Sequence, residues 1–233
     1  MLLKVDRVEK KYLIDEVAAS IMKTRLDTYM KQDPHNGPKG YMVRSVYFDS
    51  IRDRDYYEKE DGLDHRKKIR LRIYDPDSEN VKLELKEKHN GQQRKQSMEI
   101  TREEAKQMLK GDYQFLQKYK KQPATTIYAI LVMDIYRPKC MVEYNRFAYI
   151  LQENDIRITF DSELRASESD FDLFKKNPTY YPVAHPSQIT LEVKYNRFLL
   201  SNIKKALSIK AKVETSNSKY VRARMISKQR GGF

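Results

Sequence analysis

Apolar and ionisable residues alternate along four separate stretches of the chain: Ile69-Arg70-Leu71-Arg72-Ile73, Leu83-Glu84-Leu85-Lys86-Glu87-Lys88, Ile156-Arg157-Ile158-Thr159-Phe160-Asp161 and Leu191-Glu192-Val193-Lys194-Tyr195. Successive side chains point to opposite sides of a strand, so each stretch predicts one packing face and one charged face. An ordinary surface strand can show this pattern once; its recurrence is what informs. Several strands sharing a charged face can curl into a barrel with a polar lumen and an apolar outside. Such a lumen suits a polyanion.

The intervening sequence supplies the connections. Val5 to Leu13 reads as a first strand, and Asp15 caps a helix from Glu16 to Met30 on Val17, Ile21, Met22, Leu26 and Met30. Asp33 to Pro38 is a loop, Arg44 to Asp49 a strand, and Arg52 to Asp61 helical or turn-like. A strand from Lys68 to Tyr74 turns at Asp75-Pro76-Asp77 into Val81 to Lys88, and His89-Asn90-Gly91 turns again into the basic stretch Gln93 to Ser97. Thr101-Arg102-Glu103-Glu104 is a capping box, and Gly111 ends its helix. Tyr113 to Tyr136 gives two short covering helices around Pro123. Strands follow at Cys140 to Tyr149, Asp155 to Asp161 and Ile189 to Tyr195, with Ser162 to Ser187 a loop laid across the barrel. Ser201 caps a helix through Ile209, and Gln229 to Phe233 should fray.

With 233 residues, 39% of them hydrophobic, one domain spanning 1-233 is expected. A formal charge of +13 calls for an anionic partner: phosphate chains, nucleic acid or an acidic membrane. The acids sit among the bases within the strands, which suits a divalent metal and adds nothing to plain phosphate-backbone binding. A single cysteine, Cys140, excludes an intrachain disulfide framework and fits a reducing compartment. There is no run of eighteen apolar residues, and the start of the chain turns charged too early for a signal peptide, so a cytoplasmic protein is expected. His35, His65, His89 and His185 show no metal spacing and read as surface residues.

Glu9-Lys10-Lys11-Tyr12, Arg44-Ser45-Val46-Tyr47-Phe48-Asp49, Arg70-Leu71-Arg72, Lys82-Leu83-Glu84-Leu85-Lys86, Glu143-Tyr144-Asn145-Arg146, Arg157-Ile158-Thr159-Phe160-Asp161, Leu191-Glu192-Val193-Lys194 and Ser218-Lys219-Tyr220 occur in the order seen in the VTC domain. From Val5 to Arg224 the chain resembles that domain, the polyphosphate polymerase branch of the triphosphate tunnel metalloenzymes, the CYTH-like superfamily. The resemblance implies an α+β fold, an eight-stranded antiparallel tunnel barrel with helices packed outside. It implies transfer of the γ-phosphate of ATP to a growing polyphosphate chain, assisted by Mn²⁺ or Mg²⁺. Carried over position by position, Lys11, Arg70, Arg72, Lys86, Arg146, Arg157 and Lys194 are the catalytic cations, and Arg44, Lys95, Ser218 and Lys219 bind substrate. Glu192 is the principal metal ligand, with Glu9 and Glu84 beside it as further candidates and Asp161 as an acid on the same kind of face. In that family the domain is often coupled to membrane-spanning elements, so a membrane-protein partner at the inner face is expected.

Two other readings compete. Hydrolases of the superfamily open with Glu-x-Glu-x-Lys, and here Arg7 stands where the first Glu would be, which favours the polymerase. A non-catalytic sensor of polyphosphate or inositol pyrophosphate has no reason to keep Glu192 with Glu9 and Glu84. Nucleic-acid binding rests on net charge alone and is disfavoured.

Overall fold

The computed structural model describes residues 7–90, 92–209, 212–216 and 218–230. Its strands are β1 (Arg7–Ile14), β2 (Lys31–Gln32), β3 (Tyr41–Asp49), β4 (Arg66–Ile73), β5 (Asn80–His89), β6 (Gln92–Thr101), β7 (Arg137–Leu151), β8 (Ile156–Ser167), β9 (Tyr181–Pro182), β10 (Ile189–Asn196) and β11 (Val213–Glu214). The α-helices are α1 (Glu16–Leu26), α2 (Arg54–Glu60), α3 (Arg102–Leu109), α4 (Ala124–Met133), α5 (Ser201–Ala206) and α6 (Lys219–Arg230), with a 3-10 helix at Gln114–Tyr119. The eleven strands form an antiparallel sheet in the order β11-β1-β10-β8-β7-β3-β4-β5-β6, with β2 on β7 and β9 on β8. The fold is α+β as expected, but among the described residues the sheet is not closed, which corrects the eight-stranded tunnel barrel. Alternation fixes which way each face points; closure depends on whether the end strands pair, and no residue pattern records that.

The chain divides into two compact units. The first comprises residues 1–42, 144–164 and 184–217. Its core joins Ile158 and Phe160 of β8, Leu191 and Val193 of β10, Ala18, Ala19, Met22 and Leu26 of α1, and Ile203 and Ala206 of α5. The second comprises 43–143, 165–183 and 218–233. Here Val46 and Phe48 of β3, Ile69, Leu71 and Ile73 of β4, and Val81, Leu83 and Leu85 of β5 pack under Ala105, Met108, Phe115, Leu116, Ile127 and Leu131. In both units the apolar half of the alternation lies beneath helices, each large side chain contributing about 1.5–3 kcal/mol by leaving water. The charged half is thereby committed to the opposite side of the sheet.

Several local expectations hold. Asp15 accepts from the Ala18 amide at 2.7 Å, and Thr101 and Glu104 close the capping box. The register His89↔Gln92 leaves two residues for the turn, of which Gly91 lies outside the described residues, as do Val5 and 231–233. Others change. Helix α1 stops at Leu26 and buries its two alanines, leaving Val17 and Ile21 exposed, because small side chains let the helix seat one residue further round than bulk alone predicts. The supposed loop from Ser162 begins as strand: Glu163 takes a left-handed conformation (φ 54°) that interrupts the alternation, and Leu164 and Ala166 restore it. Helix α5 has Leu200 rather than Ser201 at its N-cap and is shorter than expected. The residues after Ser218 build α6, a helix absent from the sequence reading.

Helix α2 begins over a buried acid. Asp49 accepts the amides of Asp55 and Tyr56 at 2.9 and 3.0 Å and the Tyr220 hydroxyl at 2.5 Å, so the end of β3 caps the helix and anchors α6. Next to it the Asp55 carboxyl, 1% exposed, takes the Tyr136 hydroxyl at 2.7 Å. Burial, then the neighbouring Asp49 charge, raises the Asp55 pKa from 3.8 to about 8. The folded state therefore holds this proton more tightly than the unfolded chain; its contribution is fullest below pH about 4 and is lost as pH rises to about 8. Melting curves of Asp55→Asn, which removes the titration, should lose this decline; an unchanged pH dependence between mutant and wild type would refute it.

Candidate active site

On the charged side of the first unit, β1, β10 and β8 lie side by side, and their register interleaves acids with bases. Glu9 stands opposite Lys194, and Lys11 opposite Glu192. Beyond them Lys194 faces Arg157, Glu192 faces Thr159, and Thr190 faces Asp161. Lys11 Nζ is 3.1 Å from Glu9 Oε1 and 3.9 Å from Glu192 Oε1, while Lys194 Nζ is 3.1 Å from Glu192 Oε1 and 3.8 Å from Glu9 Oε2. Two carboxylates thus share two ammonium groups. Burial opposes ionisation of Glu192, but Lys194 and Lys11 outweigh it and hold the carboxyl well below the usual range.

Two arginines stand beside this quartet. The Arg146 guanidinium forks onto Asp161, Nε to Oδ1 at 2.7 Å and Nη2 to Oδ2 at 2.8 Å, and its Nη2 lies 3.7 Å from Glu192 Oε2. A bidentate pair of this kind fixes the plane of the guanidinium as well as its position. Gly40 lets the chain pass close to the Arg146 backbone: at φ +89° a Cβ there would lie 2.3 Å from the Arg146 carbonyl oxygen. Arg157 donates to Asp33 Oδ2 at 2.6 Å and to the Tyr41 hydroxyl at 3.1 Å. Burial raises the Asp33 pKa, and hydrogen bonds from His35 and Arg157 more than reverse this. Thr159 Oγ1, facing Glu192 across the ladder, is buried without a hydrogen-bond partner.

The second unit carries a different balance. Lys68, Lys86 and Lys95 are direct neighbours across β4, β5 and β6. Like charges placed opposite one another cost stability, a cost that an anion lying along the row would remove. One position along, Glu84 is 2% exposed and collects Arg70 Nε at 2.7 Å, Arg72 Nη2 at 3.5 Å and Lys95. Burial raises the Glu84 pKa, but Arg70 and Lys95 bring it below the ordinary value. This carboxylate organises cations. Arg72 Nε is buried with no hydrogen-bond partner, a donor left over for an anion. Ser218, at the start of α6, accepts from Lys68 Nζ at 2.9 Å, with Lys219 half-buried beside it.

Of the expected residues, Lys11, Arg146, Arg157, Lys194, Glu9 and Glu192 are gathered in the first unit, and Arg70, Arg72, Lys86, Lys95, Glu84, Ser218 and Lys219 lie in the second. Arg44, also in the second unit, is 2% exposed and donates from Nε to Glu143 Oε2 at 2.5 Å and from Nη1 to the Leu173 and Lys175 carbonyls at 2.9 and 2.6 Å, contacts that hold its guanidinium within the fold. The sequence reading missed Lys68, whose register with Lys86 was legible from the hairpin, and Asp33, which is 124 residues from its arginine and left no local signal. Among the described residues no group of three or more His, Cys, Asp or Glu side chains gathers as a metal cage, and no helix is long and apolar enough to cross a membrane.

A family model described as VTC domain matches residues 6–227. A candidate adenylyl cyclase from Hippeastrum, described as revealing a dominant triphosphatase activity, is similar at TM-score 0.55 and 14% identity, covering 94% of this chain and 96% of that one. A candidate adenylate cyclase from Bacillus halodurans is similar at TM-score 0.51 and 14% identity, covering 91% and 94%. At these identities the likeness is one of fold. No curated protein matches the chain.

Proposed function

We propose a polyphosphate polymerase, because the chain belongs to the VTC domain family and sets two carboxylates among lysines where metal-assisted phosphoryl transfer could use both. The quartet of Glu9, Lys11, Glu192 and Lys194 is the observation that carries this reading. Simple anion capture gains nothing from carboxylates, whereas a hard divalent cation requires oxygen ligands and keeps several waters. Glu9 and Glu192 fit that need, with the unpartnered Thr159 hydroxyl beside them. Mn²⁺ or Mg²⁺ held there supplies charge neutralisation across phosphate oxygens.

The transfer itself asks for alignment more than covalent help. A terminal oxygen of the growing chain forms a bond to the γ-phosphorus of ATP, the bond from that phosphorus to the β–γ bridging oxygen breaks, and ADP leaves. Lys11 and Lys194, once their carboxylates are engaged elsewhere, turn their ammonium groups to phosphate oxygens. Arg146 and Arg157, oriented by Asp161 and Asp33, meet the spreading charge with preset planes. The second unit by itself offers a cationic surface suited to phosphates, built from Lys68, Lys86 and Lys95, with Arg70 and Arg72 held by Glu84 and Ser218 and Lys219 alongside.

The choice of acceptor rests on position 7. Arg7 occupies the place of the hydrolases' first acid and lies 3.4 Å from Asp155, so β1 offers no third carboxylate near attacking water. Hydrolysis is the second reading, favoured by the activity described for the Hippeastrum protein. Incubation with ATP and Mn²⁺ followed by gel analysis separates the two. Long phosphate chains are expected; free phosphate alone would transfer the assignment to hydrolysis. The family habit of coupling this domain to membrane-spanning elements extends the proposal to a membrane-protein partner that takes up the polymer.

A further inference from the structure

His65 and His89, 24 residues apart, come together at the end of the β4–β5 ladder, one step past the pair Arg66↔Lys88. Their Nδ1 atoms are 2.5 Å apart and their ring centroids 3.9 Å, with the planes nearly perpendicular at 78°. The sequence gives no hint of this, since neither residue has a partner at metal spacing; the hairpin creates the pair. We propose that His65 and His89 form a binding site for a borderline transition-metal dication such as Zn²⁺ or Ni²⁺, separate from the carboxylate quartet and of different chemistry. Imidazole nitrogen suits such ions, while Mg²⁺ and Mn²⁺ prefer oxygen.

The geometry needs little adjustment. Two nitrogens at about 2.0–2.1 Å from a tetrahedral ion lie roughly 3.3 Å apart, so the facing atoms must separate by less than about 1 Å. Both rings are exposed and can do this by side-chain rotation, leaving the ladder intact. A metallated Nδ1 places the remaining proton on Nε2, and a metal-bound imidazole is normally steadied by an acceptor there. Asn90 provides it: its amide lies 3.3 Å from His89 Nε2 and can present Oδ1 after a half-turn. Of the charges nearby, Lys88 is paired with Asp64 at 3.1 Å, which offsets its repulsion. Because no third protein ligand gathers among the described residues, waters complete the coordination.

Calorimetric titration of Zn²⁺ into the full chain, with excess Mg²⁺ occupying oxygen sites, tests the proposal. One saturable event per chain is expected in the wild type and in His35→Ala and His185→Ala. It should be lost in His65→Ala and equally in His89→Ala, and the double variant should add nothing further, as for two ligands of one ion. Circular dichroism would show the exposed substitutions folded. Absence of binding to the wild type, or undiminished binding to both single variants, overturns the site. Polymer synthesis in the same variants reads out the active-site proposal independently.

Discussion

Replacing Glu192 with alanine should abolish metal-dependent turnover while leaving polyphosphate binding in place. The expected loss is about 10³-fold or more in rate, since a correctly held dication contributes several kcal/mol to a phosphoryl transition state and each 1.4 kcal/mol or so is tenfold. Binding should survive because the deleted carboxylate was the shared partner of Lys11 and Lys194, whose charges remain. Titration of a fluorescent polyphosphate alongside the ATP assay reads both quantities. Equal turnover in mutant and wild type would remove Glu192 from the metal site, and a matching loss of binding would make it a structural residue.

The largest stability effect is expected at Glu143. This carboxylate, 3% exposed, receives Arg44 Nε at 2.5 Å, Arg165 Nε at 3.0 Å and the Tyr180 hydroxyl at 3.0 Å. Glu143→Ala strands the Arg44 charge inside the second unit, which should cost about 3–5 kcal/mol in urea unfolding. A cost below about 1 kcal/mol would show that water or another acid takes its place. The pH dependence has a definite sign. Burial raises the Glu143 pKa, but Arg165 and Arg44 bring it below 4.5, so its stabilisation is present above the unfolded value and lost as pH falls through the folded one. This slope is opposite to that of Asp55, and comparing Glu143→Ala with Asp55→Asn separates them.

What the chain revealed and what it concealed follow one distinction. Period-two alternation is a local property, so the charged and apolar faces of β4, β5, β8 and β10 were legible, and with them the acids and bases now found on those faces. Long-range partners were not. Arg44 was placed among the substrate ligands by the resemblance to the VTC domain, and the Glu143 it pairs with is 99 residues away. Arg157 and Asp33 met only through the fold, as did His65 and His89. Closure of the sheet was inferred from resemblance, and the open order of strands corrects it.

That openness leaves β6 on the rim, hydrogen-bonded to β5 and exposed along most of its length. Among the described residues no strand covers its outer edge, and an edge of this kind can template another chain unless charge or shape prevents it. Here Arg94 and Lys95 point to opposite sides of the rim, so a second molecule approaching from either side meets a charge like its own. Lys95, proposed above as part of a phosphate-binding surface, thus doubles as a guard against self-templating, and coating it with polymer would lift that protection.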